Sequence, residues 1–427
     1  MVKFKPFKGV LYNKEIVKDY ANVVSQPYDK ISPVMQDEYY KKSEYNIARI
    51  VKNKSEFDNN PYTTAKKYLD KWLGEGALKQ LDSDSFFYLE QTYTIFGNTH
   101  TRKAIIGLGK LHDYEDQVIM PHEQTLKGPK VDRLELLRAT KFNVGQIFML
   151  YRDPKNVVNN ELSQLSKDTP FFSITDDEGV QHRLFLVKDA SMQKSIASFL
   201  SDKKLYIADG HHRYETALAY SKEKYDPKNP DALTAYCMMT LVNAYDEGLK
   251  ILPTHRLVNN DLKYNYETVM KELSKNFSIK ELTVPENLED IHQYIENLPK
   301  HSILFYAKEK KTKILQLTLT NDVYDKNLSK SLTDLDVYLL HQLILDTILG
   351  ITKEDLAKKT YITYKRSPEG SLREIQDGSH SMCFLLKSTG VDSVLSIADD
   401  KQTMPQKSTD FYPKILSGYV LADISSH

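Results

Sequence analysis

Apolar and polar positions follow two rhythms along this 427-residue chain. A spacing near 3.6 predicts helices; alternation, or a short unbroken apolar run, predicts strands. Helical spacing covers Ile31 to Ile50, Thr63 to Leu78, the later part of Val118 to Leu137, Met192 to Leu200, Tyr266 to Phe277 and Leu335 to Leu349. The aromatic and β-branched run Phe86 to Phe96, the turn Gly97-Asn98 and the return Thr101 to Leu111 predict a hairpin. Further strands are predicted at Val144–Tyr151, His182–Val187, Ile303–Tyr306, Ile314–Leu319, Cys383–Leu386 and Val394–Ile397. Ala235 to Val242 is almost wholly apolar, as a buried strand requires. Gln26-Pro27-Tyr28-Asp29 reads as a turn. Strands interspersed with helices, plus a hairpin, predict an α/β or α+β architecture with mixed sheets. Three segments are expected: residues 1–110 with the hairpin, 111–260 as the core, and 261–427 as a C-terminal elaboration.

Composition narrows the class. Hydrophobic residues make up 41% and charged residues 27%, the balance of a soluble globular protein. Lys+Arg and Asp+Glu are 58 each, so no global field draws the chain to nucleic acid or an anionic membrane. The two cysteines, Cys237 and Cys383, lie in apolar surroundings, which points to buried thiols in a reducing compartment. No apolar stretch is long enough to span a membrane, and Met1 to Pro6 lacks a signal-peptide core. The expected location is the cytoplasm.

Chemistry concentrates in four polar clusters. The densest is Leu205-Tyr206-Ile207-Ala208-Asp209-Gly210-His211-His212-Arg213-Tyr214, an apolar strand, a glycine turn and the start of a helix. Free N–H groups at a helix N-terminus attract phosphate. Arg213 adds a guanidinium suited to phosphate, and Asp209 a carboxylate able to hold a metal ion or accept a proton. The second cluster is Pro121-His122-Glu123-Gln124-Thr125, followed by Lys130, Asp132 and Arg133; it is either a helix-capping segment or a source of a general base in Glu123. The third is Thr254-His255-Arg256, the fourth Lys407-Ser408-Thr409 with Lys414. Both read either as solvated surface or as phosphate contacts. Adjacent histidines seldom aim at one ion, and no helical His pair suits zinc. The P-loop, the Gly-x-Gly-x-x-Gly turn and the Gly-x-Ser-x-Gly elbow are absent from the sequence.

Four segments together resemble a bacterial family known as domain of unknown function ten-fifteen. They are Pro121–Thr125, Ile207–Tyr214, Leu252-Pro253-Thr254-His255-Arg256 and Met404-Pro405-Gln406-Lys407-Ser408-Thr409. The likeness runs from Pro27-Tyr28-Asp29 to Lys414. Locally, the Asp-Gly-His-His-Arg stretch also resembles the nucleotide-phosphate turn of the ParB/sulfiredoxin-like fold, and in particular that of free-serine kinases. This implies an α+β protein with a ParB/sulfiredoxin-like core around Asp209. Sulfiredoxin carries a cysteine where this chain has His211 and His212, and no basic recognition helix of the ParB kind is present.

The resemblance implies a nucleotide-dependent small-molecule kinase using ATP or ADP with Mg²⁺, acting on free L-serine to give O-phosphoserine. Its site would use Glu123, Asp209, His211 and His212 in catalysis, with Asp209 at the metal. Gly210, Arg213, His122, Thr125, Arg256, Lys407, Ser408, Thr409 and Lys414 would bind the phosphates. A non-catalytic nucleotide-binding regulator and a nucleotide hydrolase are the alternatives. The expected partners are a small substrate and a nucleotide, with no nucleic acid and no membrane.

Overall fold

The computed structural model describes residues 1–123, 127–320, 328–405 and 407–425. The chain divides into two compact units, one of Met1–Pro121, Thr125–Lys250 and Pro413–His427, the other of His122–Gln124 and Ile251–Tyr412. The boundary expected at residue 110 falls at the end of a strand paired on both sides, so the first two expected segments share one sheet.

Among the described residues, the first unit is built on a nine-stranded mixed sheet. Its strands are β1 (Phe4–Lys5), β2 (Phe86–Ile95), β3 (Asn98–Lys110), β4 (Ile119–Met120), β5 (Ile147–Tyr151), β6 (Phe172–Thr175), β7 (Gln181–Val187), β8 (Leu205–Asp209) and β9 (Tyr236–Asn243). They run in the order β4-β8-β5-β9-β3-β2-β7-β6, with β1 on β3. β8 pairs parallel to β4 and antiparallel to β5, and β9 pairs parallel to β5. The sheet is therefore mixed around the strand that ends at Asp209. The β2–β3 hairpin closes with Ile95 opposite Asn98. Its turn residues are Phe96 and Gly97, both at positive φ, one place earlier than the spacing predicted. That geometry matches the right-handed twist of the strands.

The helices follow apolar periodicity and their caps. In α1 (Pro33–Lys42), proline sits in the first turn and Ser32 accepts the Met35 N–H. The helical pattern predicted over Ile31 to Ile50 thus breaks after Lys42 and resumes only at Ala48–Val51. In α2 (Pro61–Gly74), Asn60 accepts from Tyr62 and Thr63, and Leu69 and the single tryptophan, Trp72, are buried. α3 (Lys127–Thr140) packs on α5 (His211–Glu223), and α4 (Ala190–Leu200) buries Ile196 and Leu200.

The second unit carries an antiparallel six-stranded sheet: β10 (His255–Asn259), β11 (Phe277–Thr283), β12 (Ser302–Ala307), β13 (Lys313–Leu319), β14 (Ile362–Lys365) and β15 (His380–Leu385). The order is β11-β13-β12-β15-β10-β14. α6 (Tyr266–Asn276) and α7 (Pro368–Gln376) contribute to this unit, and α7 packs on the sheet through Leu372 and Ile375. Two sequence expectations change. The helix predicted over Leu335 to Leu349 begins at Asp336–Leu339 and widens into a π-helix at Leu340–Asp346. Val394–Ile397, expected as a strand, lies inside a helix, Val391–Asp399. Val391, Val394, Leu395 and Ala398 repeat at helical spacing, and burial of Val394, Leu395 and Ala398 outweighs the local β-branched run. Both cysteines are buried in apolar cores, Cys237 in the first unit and Cys383 in the second. Among the described residues, no helix is long and apolar enough to cross a membrane.

Gly107 of β3 shows how tightly the first core is filled. A Cβ there would come within 2.6 Å of Phe4 and 2.7 Å of Phe86, two rings stacked at 5.0 Å. Gly107→Ala should therefore lower stability by about 1–3 kcal/mol, the usual cost of overpacking. A urea midpoint unchanged from the parent would show that the two rings yield freely.

Candidate functional site

The Asp209 turn forms because its sequence changes character abruptly. Leu205 to Ala208 are buried in β8, and Gly210 then adopts φ 96°, open to glycine but strained for other residues. The Tyr214 N–H donates to Gly210 O at 2.9 Å, which starts α5. β8 is antiparallel to β5, so its C-terminal end meets the beginning of β5. Arg213 uses this: one Nη donates to Asp209 Oδ2 at 2.8 Å and the other to the carbonyl of Gln146. A Cβ on Gly210 would lie 3.0 Å from that guanidinium, so the turn also leaves room for Arg213 to fold back.

Lys414 reaches the same carboxylate from the end of the chain, 3.5 Å from Asp209 Oδ1. Its backbone is tied down beneath. Arg102 and Gln91, both fully buried on β3 and β2, form a polar network. Arg102 donates to Gln91 Oε1 and, at 2.6 Å, to Pro413 O; Gln91 Nε2 donates to Lys414 O at 3.0 Å. His182 and Tyr419 extend the network, with Tyr419 Oη 2.6 Å from His182 Nδ1.

Burial by itself would raise the Asp209 carboxyl. The charges of Lys414, Arg213, Lys30 and His211 outweigh it and hold the group well below the usual carboxylate range. Asp209 is thus held as an anion by the charges around it. The turn keeps a surplus of positive charge suited to a polyanion. His211 is buried and His212 half-buried at the start of α5.

The remaining predicted residues gather in the second unit. His122 is buried, its Nε2 3.3 Å from Thr409 Oγ1, and its carbonyl accepts from the Met404 N–H at 2.8 Å. Ser408 Oγ donates to Pro405 O at 2.5 Å, and Thr389 Oγ1 to Ser408 O at 3.1 Å. Lys407 is exposed, at φ 58°. Arg256, expected at a phosphate, is 1% exposed and donates to Lys407 O at 2.9 Å, to Thr254 O and to His341. It acts as a clamp on the 404–409 segment. The structure thus brings His122, Arg256 and the Lys407–Thr409 segment together, with half-buried Glu123 next to His122 in sequence. Thr125 lies outside the described residues. Among the described residues, no group of three metal-binding side chains occurs.

Sequence reading missed Lys30, which follows a segment read only as a turn, and Tyr28 and Gln146. Tyr28 carries a signal in retrospect: Arg133, named among the polar residues before α3, places its guanidinium 4.1 Å from the Tyr28 ring centroid.

The family described as "Protein of unknown function (DUF1015)" matches residues 4–338, and the chain belongs to that family. A comparison with curated proteins gave no match. Among solved structures, a conserved hypothetical protein from Pyrococcus furiosus is similar at 14% identity, over 70% of this chain and 89% of that one, with a TM-score of 0.35. A free serine kinase in complex with AMP is similar at 11% identity, over 69% and 83%, with a TM-score of 0.36. SbnI from Staphylococcus aureus, truncated at its C-terminus, is similar at 11% identity, over 73% and 85%, with a TM-score of 0.34. At such distances the chemistry has to be argued from the residues themselves.

The second unit predicts its own acid sensitivity. His255 accepts the Leu386 N–H at Nδ1 and is fully buried. Burial first, then the charges of Arg256 and His292, push its pKa down to about 3. His341 is lowered in the same direction by burial and Arg256. The folded pKa lies below the unfolded one, so the contribution is complete above about pH 6.5 and is lost as pH falls toward the folded value. Each such histidine removes about 1.4 kcal/mol per pH unit in that window. Chemical denaturation from about pH 7.5 to about pH 5 should show this loss, and a flat profile would mean the buried imidazoles take up protons within the fold.

Proposed function

We propose that the protein is a nucleotide-dependent small-molecule kinase that phosphorylates free L-serine to O-phosphoserine, on a ParB/sulfiredoxin-like core centred on the Asp209 turn. The observation that carries this reading is an ionised Asp209 at the mouth of a helix N-terminus, held among Lys30, Arg213 and Lys414. Phosphoryl transfer asks mainly for positioning and charge neutralisation. The α5 N-terminus, Gly210 and the cationic side chains supply those for the phosphates of ATP or ADP.

In the reaction the serine hydroxyl oxygen bonds to the terminal phosphorus as the bridging O–P bond breaks. The nucleotide leaves one phosphate shorter, and the hydroxyl proton passes to a carboxylate. Asp209, with its depressed pKa, is a weak base and a good anionic ligand. One carboxylate beside a phosphate site fits Mg²⁺ arriving with the nucleotide, since that ion is usually held by one or two carboxylates plus phosphate oxygens. When bound, it would neutralise charge on the phosphates. Arg213 and Lys414 orient Asp209 and exchange part of that pairing for phosphate contact. Glu123 is the candidate base, and its part is tested separately.

Purified protein with Mg²⁺, ATP or ADP and L-serine should form O-phosphoserine. Arg213→Ala should lose about 2–4 kcal/mol of transition-state stabilisation. Asp209→Asn should lower turnover while leaving ADP affinity within about tenfold, because it removes a negative charge from a phosphate site. Glu123→Gln should lower kcat by about 10²–10⁴ without weakening ADP. Nucleotide loss independent of serine would replace the kinase with a hydrolase. Tight binding without turnover on any acceptor would replace it with a regulatory binder.

A further inference from the structure

The Asp209 turn borders a cleft that phosphate chemistry alone does not explain. Arg213, Gly145 and Ser417 belong to both: a Cβ on Gly145 would lie 3.6 Å from Arg213 Nη1 and 3.7 Å from Ser417 Oγ, and all three line a hollow of about 600 Å³, its open mouth included. Only about 70 Å³ of it is free room away from the mouth, so the hollow is a narrow slot that a flat ligand fits better than a bulky one. Beyond Arg213 the walls are mostly apolar, with Leu136 and Leu137 from α3, Ala217 from α5, Val144, Ile147 and Met238. A bare anion gains nothing from such walls.

The few polar groups are fixed in place. Tyr28 lines the cleft under the Arg133 guanidinium, which Asp132 holds at 2.6 Å and Val51 O at 3.0 Å. Asn143 commits its Oδ1 to the Met238 N–H at 2.7 Å, which orients the amide and makes its Nδ2 the donor. An apolar slot with two aromatic rings, Tyr28 and Phe142, and a fixed amide donor suits a planar heteroaromatic ring.

We infer that this cleft takes the base of the nucleotide whose phosphates lie on the Gly210–Arg213 turn. The inference rests on the phosphate reading of that turn and adds where the base goes. Arg213 marks the junction between the two halves of the ligand. Walls that bury the ring while one side chain orients its edge would recognise the base mainly by shape.

The test is equilibrium binding of ADP and of inorganic pyrophosphate to the full chain, to Ala217→Phe and to Arg213→Ala. Wild type should bind ADP at least about tenfold more tightly than pyrophosphate, a difference of about 1.4 kcal/mol. Ala217→Phe, which fills the slot, should remove that advantage and leave pyrophosphate within about twofold, whereas Arg213→Ala should weaken both ligands. Equal wild-type affinities for ADP and pyrophosphate would overturn the base slot and leave the phosphate turn standing. An Ala217→Phe protein that keeps the ADP advantage, or loses pyrophosphate as well, would also overturn it. Failure of both ligands to bind wild type would remove the phosphate reading and the slot with it. If Ala217→Phe does not fold, Leu137→Trp takes its place, and the wild-type comparison decides in either case.

Discussion

The first unit depends on a guanidinium taken out of water. Arg102 sits on the central hairpin with no exposed surface, and burial brings its pKa down to about 10. Such a group destabilises a fold by several kcal/mol unless its donors are met. Gln91 Oε1 and Pro413 O meet two of them, and the Phe148 ring lies 4.7 Å away. The Pro413 carbonyl is available only if the end of the chain crosses the sheet at that point. Satisfying Arg102 therefore fixes where residues 413 and 414 run, and Gln91 repeats the constraint on the Lys414 carbonyl. The Lys414 ammonium reaches Asp209 as a consequence. A core requirement of the hairpin thus sets one of the charges at the candidate site.

That charge changes what Asp209 can do. Without Lys414, Arg213 and Lys30, burial would push the carboxyl up and make it a better proton acceptor. With them it stays ionised, and the turn favours anions. The same arrangement explains why the resting geometry is self-contained: Arg213 already spans Asp209 and Gln146 O. On the proposed reading, an incoming phosphate has to compete for a guanidinium that is occupied, so binding would include a rearrangement of that pair. The surplus positive charge and the α5 N-terminus lower the cost of that exchange.

The legible parts of the molecule were the local ones. β8, the Gly210 turn and α5 lie within one short stretch, and each step has a residue-level cause: an apolar strand, a glycine at φ 96° and a helix start. The β2–β3 hairpin was equally local. The Lys30 contribution was hidden because it comes from a distant segment that reads only as a turn. Arg102 and Gln91 were hidden for another reason. Polar residues in a hairpin ordinarily point to solvent, whereas here both are wholly buried, and the backbone carbonyls they bind lie more than 300 residues away. Val394–Ile397 was misread because a four-residue β-branched window cannot show the helical repeat that Val391 and Ala398 complete. Motif density found His122 and the Lys407–Thr409 segment but not how they are held.

How they are held repeats the logic of Arg102. In the second unit Arg256 is also withdrawn from water, its pKa also falls to about 10 through burial, and it too donates to a late backbone carbonyl, that of Lys407. Its Nε points to His341, whose lowered pKa keeps the imidazole neutral and able to accept. Each unit thus uses a buried arginine to fix a late stretch of chain within that unit. A surface arginine could leave those carbonyls without loss, because water would replace them. A buried one cannot, since release would strand a charge in a medium that solvates it poorly. Each stretch is therefore held by the cost of leaving more than by the strength of its hydrogen bonds. Arg256 is better read as the reason Lys407, Ser408 and Thr409 have a fixed place than as a ligand contact in its own right.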